Sequence, residues 1–165
     1  MSLTPKTCFF TGHRVISTKK RDKAVSWLRE EILNKINDKV TVFIAGGAKG
    51  FDTMAAEQVI DMREDYSCIK LHLYLPCTNQ DAQWNEDERR RFEEIKKSAD
   101  KIYYITEGEY VKGCMRKRNL AMVEAADCGI AYLVNGCSGS AQTVKMAVKK
   151  GIKVVNIADK VRSEQ

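Results

Sequence analysis

The sequence has no uninterrupted apolar run that approaches the length of a bilayer-spanning helix, so we predict no membrane partner. An apolar signal-peptide stretch is also missing at the N-terminus, which predicts a cytoplasmic location. Internal repeats, low-complexity segments and recognisable linkers are absent. With 165 residues, 44% of them apolar and 30% charged, the chain is expected to form one globular domain over residues 1–165.

Metal-binding motifs are missing as well. The six cysteines contain no Cys-x-x-Cys pair, and the only two histidines, His13 and His72, complete no zinc-ligand motif with them. We therefore predict no metal site. Several of the cysteines are expected to be reduced thiols that act as small core residues.

Charge of one sign is only modestly in excess. The chain has 28 basic and 22 acidic side chains, and its net charge of +6 fits an anionic partner. This surplus does not separate a small nucleotide from a nucleic acid. Few aromatic residues are interleaved with the basic clusters, however, which weakens the case for a single-stranded nucleic acid.

Short β-rich apolar runs alternate with amphipathic helical patterns along the chain. The predicted strands cover residues 7–11, 40–45, 70–75, 101–105, 128–134 and 153–157. Several runs are apolar at consecutive positions, as expected when both faces of a sheet are covered. Strands separated by helices imply right-handed crossovers, so we predict an α/β, Rossmann-like three-layer sandwich: a mostly parallel sheet of about six strands with helices on both faces.

Parallel sheets of this kind bind ligands at the loops that follow the carboxyl ends of their strands. The first predicted strand ends in Gly12, His13 and Arg14. Glycine lets a ligand approach the backbone, Arg14 can pair with a phosphate, and His13 can stack on a ligand or donate a hydrogen bond to it. A turn with two solvated side chains explains the same residues equally well.

The loop after the second predicted strand is rich in glycine. Gly46, Gly47, Ala48 and Gly50 precede Asp52, which is predicted to be the N-cap of the next helix. Backbone amides between a strand and a helix N-terminus can converge on an anion, although a tight turn without a ligand is the alternative. The spacing matches neither the Walker A motif nor the Gly-x-Gly-x-x-Gly fingerprint, which argues against classical NAD binding.

The loop after the fifth predicted strand is the best phosphate cradle in the sequence. It combines glycines and hydroxyl side chains before a helix that Gly151 is expected to end. Helix capping by a serine explains the hydroxyl groups but does not require both glycines. The predicted contacts here are Gly136, Ser138, Gly139, Ser140 and Thr143.

Other candidate contacts lie outside these loops. Trp84 could stack on a base and Gln80, four residues after Pro76, could read the edge of that base, although a buried core tryptophan is the alternative. Arg118 is predicted to lie on the same side of its helix as Met122, where it could contact a phosphate or a ribose.

These segments resemble the SLOG superfamily, which unites the Smf/DprA DNA-processing proteins with the LOG cytokinin-activating phosphoribohydrolases. Residues 45–52 are similar to the Smf-type Ser-Gly-x-Ala-x-Gly-Ile-Asp segment, and residues 136–140 to the Gly-Gly-x-Gly-Thr of the LOG loop. The helix with Arg118 resembles the LOG Met-x-x-Arg-Lys-x-x-Met motif, with Asn119 in the place of the lysine. The Pro-x3-Gln-x3-Trp spacing of residues 76–84 looks most like the YpsA-like bacterial branch.

The resemblance covers residues 5–157 and implies a Rossmann-like fold with a nucleotide-derived, ADP-ribose-like ligand. It departs from the LOG enzymes at Thr143, which stands where those enzymes carry a catalytic glutamate. A threonine cannot supply that carboxylate, and Glu57 is the substitute that the sequence offers. We therefore expect a binding protein for a small nucleotide ligand with no obligatory cofactor. A LOG-related hydrolase, a single-stranded nucleic-acid-binding module and a homo-oligomer remain open.

Overall fold

The computed structural model describes residues 4–136 and 138–163, and its strands lie where the apolar runs predict them. The strands are β1 (Lys6–Gly12), β2 (Val40–Ala45), β3 (Lys70–Leu75), β4 (Lys101–Tyr104), β5 (Cys128–Tyr132) and β6 (Lys153–Asn156). The helices are α1 (Thr18–Asn37), α2 (Phe51–Met62), α3 (Glu86–Ser98), α4 (Cys114–Ala125), α5 (Gly139–Lys149) and α6 (Ile157–Ser163).

The six strands form one sheet in the order β4-β3-β2-β1-β5-β6, and every neighbouring pair is parallel. The chain moves outward from β1 to β4 and then returns to place β5 on the other side of β1. This reversal creates the switch point of the sheet, where the loops after β1 and β5 diverge and leave a crevice. The predicted Rossmann-like α/β sandwich is confirmed, with a sheet that is wholly parallel.

Two separate apolar layers explain the runs of consecutive apolar residues. Phe10 and Phe43 point to the face covered by α1, α2, α3 and α6, while Phe9 and Ile44 point to the face covered by α4 and α5. Adjacent residues of β1 and β2 are therefore buried in different layers. As predicted, most of the described cysteines are core residues: Cys8, Cys77, Cys114 and Cys128 are buried free thiols, whereas Cys68 is exposed. Cys137 lies outside the described residues.

The helix caps correct one prediction and match another. Asp52 is not the N-cap of α2: Gly50 takes that position, and the Asp52 carboxylate accepts a 3.3 Å hydrogen bond from the Ala48 amide. Ser138 caps α5 by accepting from the Ala141 amide at 3.1 Å, and α5 ends before Gly151, as predicted.

The sixth predicted strand is one residue too long, and α6 was not predicted. The side chain of Asn156 explains both differences, because its Oδ1 accepts from the amides of Leu133 at 3.0 Å and Ala158 at 3.1 Å. This side chain links the end of β6 to the β5 loop and begins the turn into α6. Within the described residues, no helix combines the length and apolarity that crossing a bilayer requires.

Candidate functional site

A cavity of about 340 Å³ opens at the switch point of the sheet, between the loops that follow β1 and β5. It receives side chains and backbone from both loops, from the start of α2 and from α4. Ten of the residues predicted from the sequence line it: Gly12, His13, Arg14, Ala48, Asp52, Arg118, Asn119, Ser138, Gly139 and Ser140. Thr11, Met115 and Met122, which were not among the predicted ligand contacts, complete the lining.

The β1 loop is fixed to the start of α2 by close backbone packing. The Phe51 amide donates to the His13 carbonyl at 3.0 Å. A Cβ added at Gly50 would overlap the Arg14 carbonyl group and lie 2.6 Å from the His13 oxygen. Similarly, a Cβ at Gly12 would lie 2.6 Å from the Phe51 ring. These glycines therefore permit contact between two segments of the protein itself, and this contact positions Arg14.

The β1 loop is also fixed to the β5 loop. The Nε2 atom of His13 accepts from the Val134 amide at 2.9 Å, which requires a neutral ring with its proton on Nδ1. The Ser140 hydroxyl donates to the Gly12 carbonyl at 2.8 Å. His13 and Ser140 thus hold the two walls of the cavity together, and His13 retains an Nδ1 proton for donation.

The N-terminus of α5 supplies backbone donors at the cavity. The first amides of an α-helix have no acceptor within the helix, and they carry the positive end of its dipole. Ser138 accepts from the Ala141 amide, while Gly139 and Ser140, the first two residues of α5, line the cavity. Nothing lies within 4 Å of the position that a Cβ on Gly139 would occupy, so this wall is open.

Two buried side chains of opposite charge, Asp52 and Arg118, line the inner part of the cavity. Each side chain belongs to a residue that is only 5% exposed. Arg118 donates through Nη1 to the Gly46 carbonyl and through Nε to Asn119 Oδ1 at 2.9 Å. A Cβ on Gly46 would lie 2.7 Å from Arg118 Nη1 and 2.8 Å from Asp52 Oδ2. A residue without a side chain is needed between these charges.

Burial dominates the protonation equilibrium of this pair. It raises the pKa of the Asp52 carboxyl to about 6, although Arg118, the Ala48 and Gly46 amides, and Arg14 all oppose the rise. Burial also lowers the pKa of the Arg118 guanidinium, against the attraction of Asp52. A carboxyl group with a shifted pKa in a cleft is typical of functional sites and of some structural ion pairs.

The β2 loop makes two hydrogen bonds to side chains of the protein itself, and ligand contacts by its glycines stay predictions. Its Ala48 amide is directed at the Asp52 carboxylate, and the Gly47 carbonyl accepts from Gln80 Nε2 at 3.1 Å. The loop is thus held from within by two side chains of the protein. Donors at the mouth of the cavity come from the β1 and β5 loops.

Several predicted contact residues lie away from this cavity. Gln80 and Gly47 bind each other, and Trp84 packs against Phe92 with ring centroids 5.2 Å apart while lining a second cavity. Thr143 is fully buried and donates to the Gly139 carbonyl at 3.0 Å. Pro76, Gly136 and Thr143 are also outside the lining, so ligand contacts by these residues stay predictions.

Glu57, the proposed substitute for a catalytic glutamate, lies outside this cavity and binds Arg91. Its Oε2 accepts from Arg91 Nε at 3.0 Å, and the residue lines the second cavity. The carboxyl group at the switch point belongs to Asp52 instead. Arg118, which lies near it, is 66 positions away in the sequence, and helix periodicity alone offered only the burial of Arg118 as a signal. Among residues 4–136 and 138–163, no cluster of three or more His, Cys, Asp or Glu could hold a metal ion.

The parallel sheet and the cavity at its switch point place the chain in the Rossmann-like α/β class. The chain belongs to the YspA SLOG family, whose family model matches residues 8–157. This match confirms the predicted YpsA-like branch. UPF0398 proteins of Bacillus cereus strain B4264 and Bacillus thuringiensis strain Al Hakam are each 28% identical to it over 130 residues, which is 78% of this chain and 71% of each relative.

Solved structures confirm the fold. DNA processing protein A (DprA) of Streptococcus pneumoniae superposes with a TM-score of 0.65 at 19% identity, covering 92% of this chain and 49% of that one. DprA of Helicobacter pylori, solved for its single-stranded DNA binding mode, gives 0.65 at 21% identity, covering 92% of this chain and 64% of that one. This chain therefore spans half to two thirds of the DprA chains, and the likeness at these identities shows the fold.

Proposed function

We propose that the chain binds a nucleotide or an ADP-ribose-like nucleotide derivative, with a phosphate of the ligand at the N-terminus of α5. The observation that carries this proposal is that the start of α5 and the exposed side chain of Arg14 face the same cavity of about 340 Å³. Backbone amides with a helix dipole and a guanidinium group are the usual protein ligands of phosphate.

The charge balance of the cavity supports an anionic ligand. Arg14 and Arg118 line it together with a single carboxyl group, that of Asp52. Arg118 is adjacent to Asp52 and offsets its charge, so Arg14 and the α5 dipole remain for the ligand. A cavity of this volume falls within the range of small-molecule sites, roughly 300 to 1,000 Å³.

Gly139→Asp is expected to abolish ligand binding while leaving the fold intact. The new carboxylate would stand in the open wall of the cavity and repel a phosphate. Aspartate in the first turn of a helix is itself favourable, so folding should not suffer. In a thermal-shift assay with AMP, ADP and ADP-ribose, wild type at about 100 times Kd should gain roughly 2.7 kcal/mol, or about 5–10 °C.

Gly139→Ala is the matched control, because it adds the same Cβ without the charge. We expect it to retain the ligand-induced rise in melting temperature that Gly139→Asp loses. An equal rise in all three proteins would contradict the proposed phosphate position. No rise in wild type with any nucleotide would contradict the proposal as a whole.

A single-stranded nucleic acid is the second candidate ligand, favoured by the fold likeness to DprA proteins and the net charge of +6. For this ligand, affinity measured by fluorescence anisotropy of a labelled oligothymidylate should fall by orders of magnitude between about 50 and 200 mM salt. A shallow salt response, or no binding, would favour the small nucleotide instead.

A further inference from the structure

A second cavity of about 400 Å³ lies between α1, α2 and α3, on the other side of the β1 loop. Arg14 lines both this cavity and the one at the switch point. The two cavities are therefore neighbours across a single side chain. No residue assigned to the proposed phosphate position other than Arg14 reaches the second cavity.

The second cavity has an apolar floor. Met54 is 6% exposed and Ile16 is 8% exposed, and the half-buried ring of Trp84 lies beside them. A flat ring, a thioether and a branched aliphatic side chain form a surface on which a nucleobase or another planar group packs well. From the sequence, Trp84 was a candidate either to stack on a base or to be buried in the core, and the fold places it in the lining of this cavity, away from the phosphate position.

The rim of the second cavity is cationic. Lys49 Nζ lies 3.6 Å from Glu88 Oε2, and the Arg91 guanidinium donates to the Glu57 carboxylate, so these two cations have partners. Arg14 and Arg21 also line the cavity, and among the described residues neither takes part in an ion pair. A group that enters above the apolar floor therefore meets two available guanidinium groups.

We propose that the ligand consists of two nucleoside units joined through phosphate, a proposal that rests on the proposed function. One unit lies at the switch point, the phosphate bridge crosses Arg14, and the second unit lies on the floor formed by Met54 and Trp84. Each cavity is large enough for one such unit, and a mononucleotide leaves the second cavity empty. Once the first unit is bound, the linked second unit has a high effective concentration at its own cavity. Its contacts therefore increase the affinity of the whole ligand.

The test compares AMP with a diadenosine diphosphate by isothermal titration calorimetry. Wild type is expected to bind the two-unit compound at least about tenfold more tightly than AMP, since a charge-assisted contact and a stacked base are added. Arg21→Glu, an exposed change on α1, should lose this gain and keep the affinity for AMP. Lys19→Glu is the matched control: it makes the same charge change on the same helix without lining the cavity, and should keep both affinities.

The outcomes separate this proposal from the one it rests on. AMP binding with no gain for the two-unit compound, or equal weakening of both compounds by Arg21→Glu, overturns the second position alone. No binding of either compound overturns the proposed function itself.

A titration with trithymidylate shows whether the two linked nucleoside units belong to a single-stranded nucleic acid or to a free metabolite. If the single strand binds more tightly than the dinucleotide and Arg21→Glu weakens it, the units belong to a nucleic acid. If the dinucleotide binds more tightly, the ligand is a free metabolite. Both results support two linked nucleoside units.

Discussion

Gly50→Ala is expected to lower the free energy of unfolding by about 3 kcal/mol or more and to remove ligand binding. Gly50 has φ 73° and ψ −119°, a conformation that side-chain-bearing residues rarely adopt. A Cβ there would also overlap the backbone of Arg14, which cannot move without displacing the β1 loop. Strain and overlap add, and the loop that carries Arg14 would shift.

Gly113→Ala is the control for a glycine with a positive φ and no overlap. Gly113 also has a positive φ, 89°, but nothing lies within 4 Å of the Cβ position. Gly113→Ala should therefore lower the free energy of unfolding only by the cost of a left-handed backbone conformation, about 1–2 kcal/mol. Urea denaturation of both variants gives the comparison. Equal costs at the two sites would show that the contact between Gly50 and Arg14 does not constrain the β1 loop.

The sheet could be predicted from the sequence because its signal is local. Each strand is a short run rich in apolar residues, and burial on both faces makes β2 and β5 apolar at nearly every position. Because parallel sheets bind ligands at the carboxyl ends of their strands, the sequence also identified the loops that meet at this edge of the sheet. Ten predicted residues line one cavity for that reason, although their contact with a ligand stays a prediction.

Which glycine-rich loop faces the cavity and which packs against the protein itself could not be predicted in this way. A glycine that admits a ligand and a glycine that admits another part of the protein look the same in sequence. Gly50 and Gly46 belong to the second kind, since Arg14 and the Asp52–Arg118 pair occupy the space beside them. Only the distances between segments remote in sequence show that the β2 loop turns inward while the start of α5 opens on the cavity.

The same limit applies to Trp84 and Asp52. The tryptophan at position 84 suggested a contact with a base, but the sequence could not show that the segment before α3 places Trp84 in the lining of a second cavity beside Arg14. Asp52 looked like a helix cap because it follows a glycine-rich turn. Its burial against Arg118 depends on how α4 crosses the sheet, which no local pattern records.

The burial of Asp52 predicts that wild type loses stability relative to Asp52→Asn as the pH rises. The pKa of this carboxyl is about 6 in the folded protein, against 3.8 for the free group. Between these values the folded state binds more protons than the unfolded state, so the free energy of unfolding decreases with increasing pH. A shift of about two pH units corresponds to about 3 kcal/mol, which is lost in full above pH 6.

Asparagine mimics the neutral carboxyl group and does not titrate, so the two proteins should be about equally stable near pH 4. Near pH 7.5, wild type should be less stable by about 3 kcal/mol, which urea denaturation of both proteins would measure. If wild type is instead the more stable protein near pH 7.5, attraction to Arg118 outweighs the burial of Asp52. Arg118 would then compensate the Asp52 charge, which leaves Arg14 and the dipole of α5 for a phosphate in the cavity.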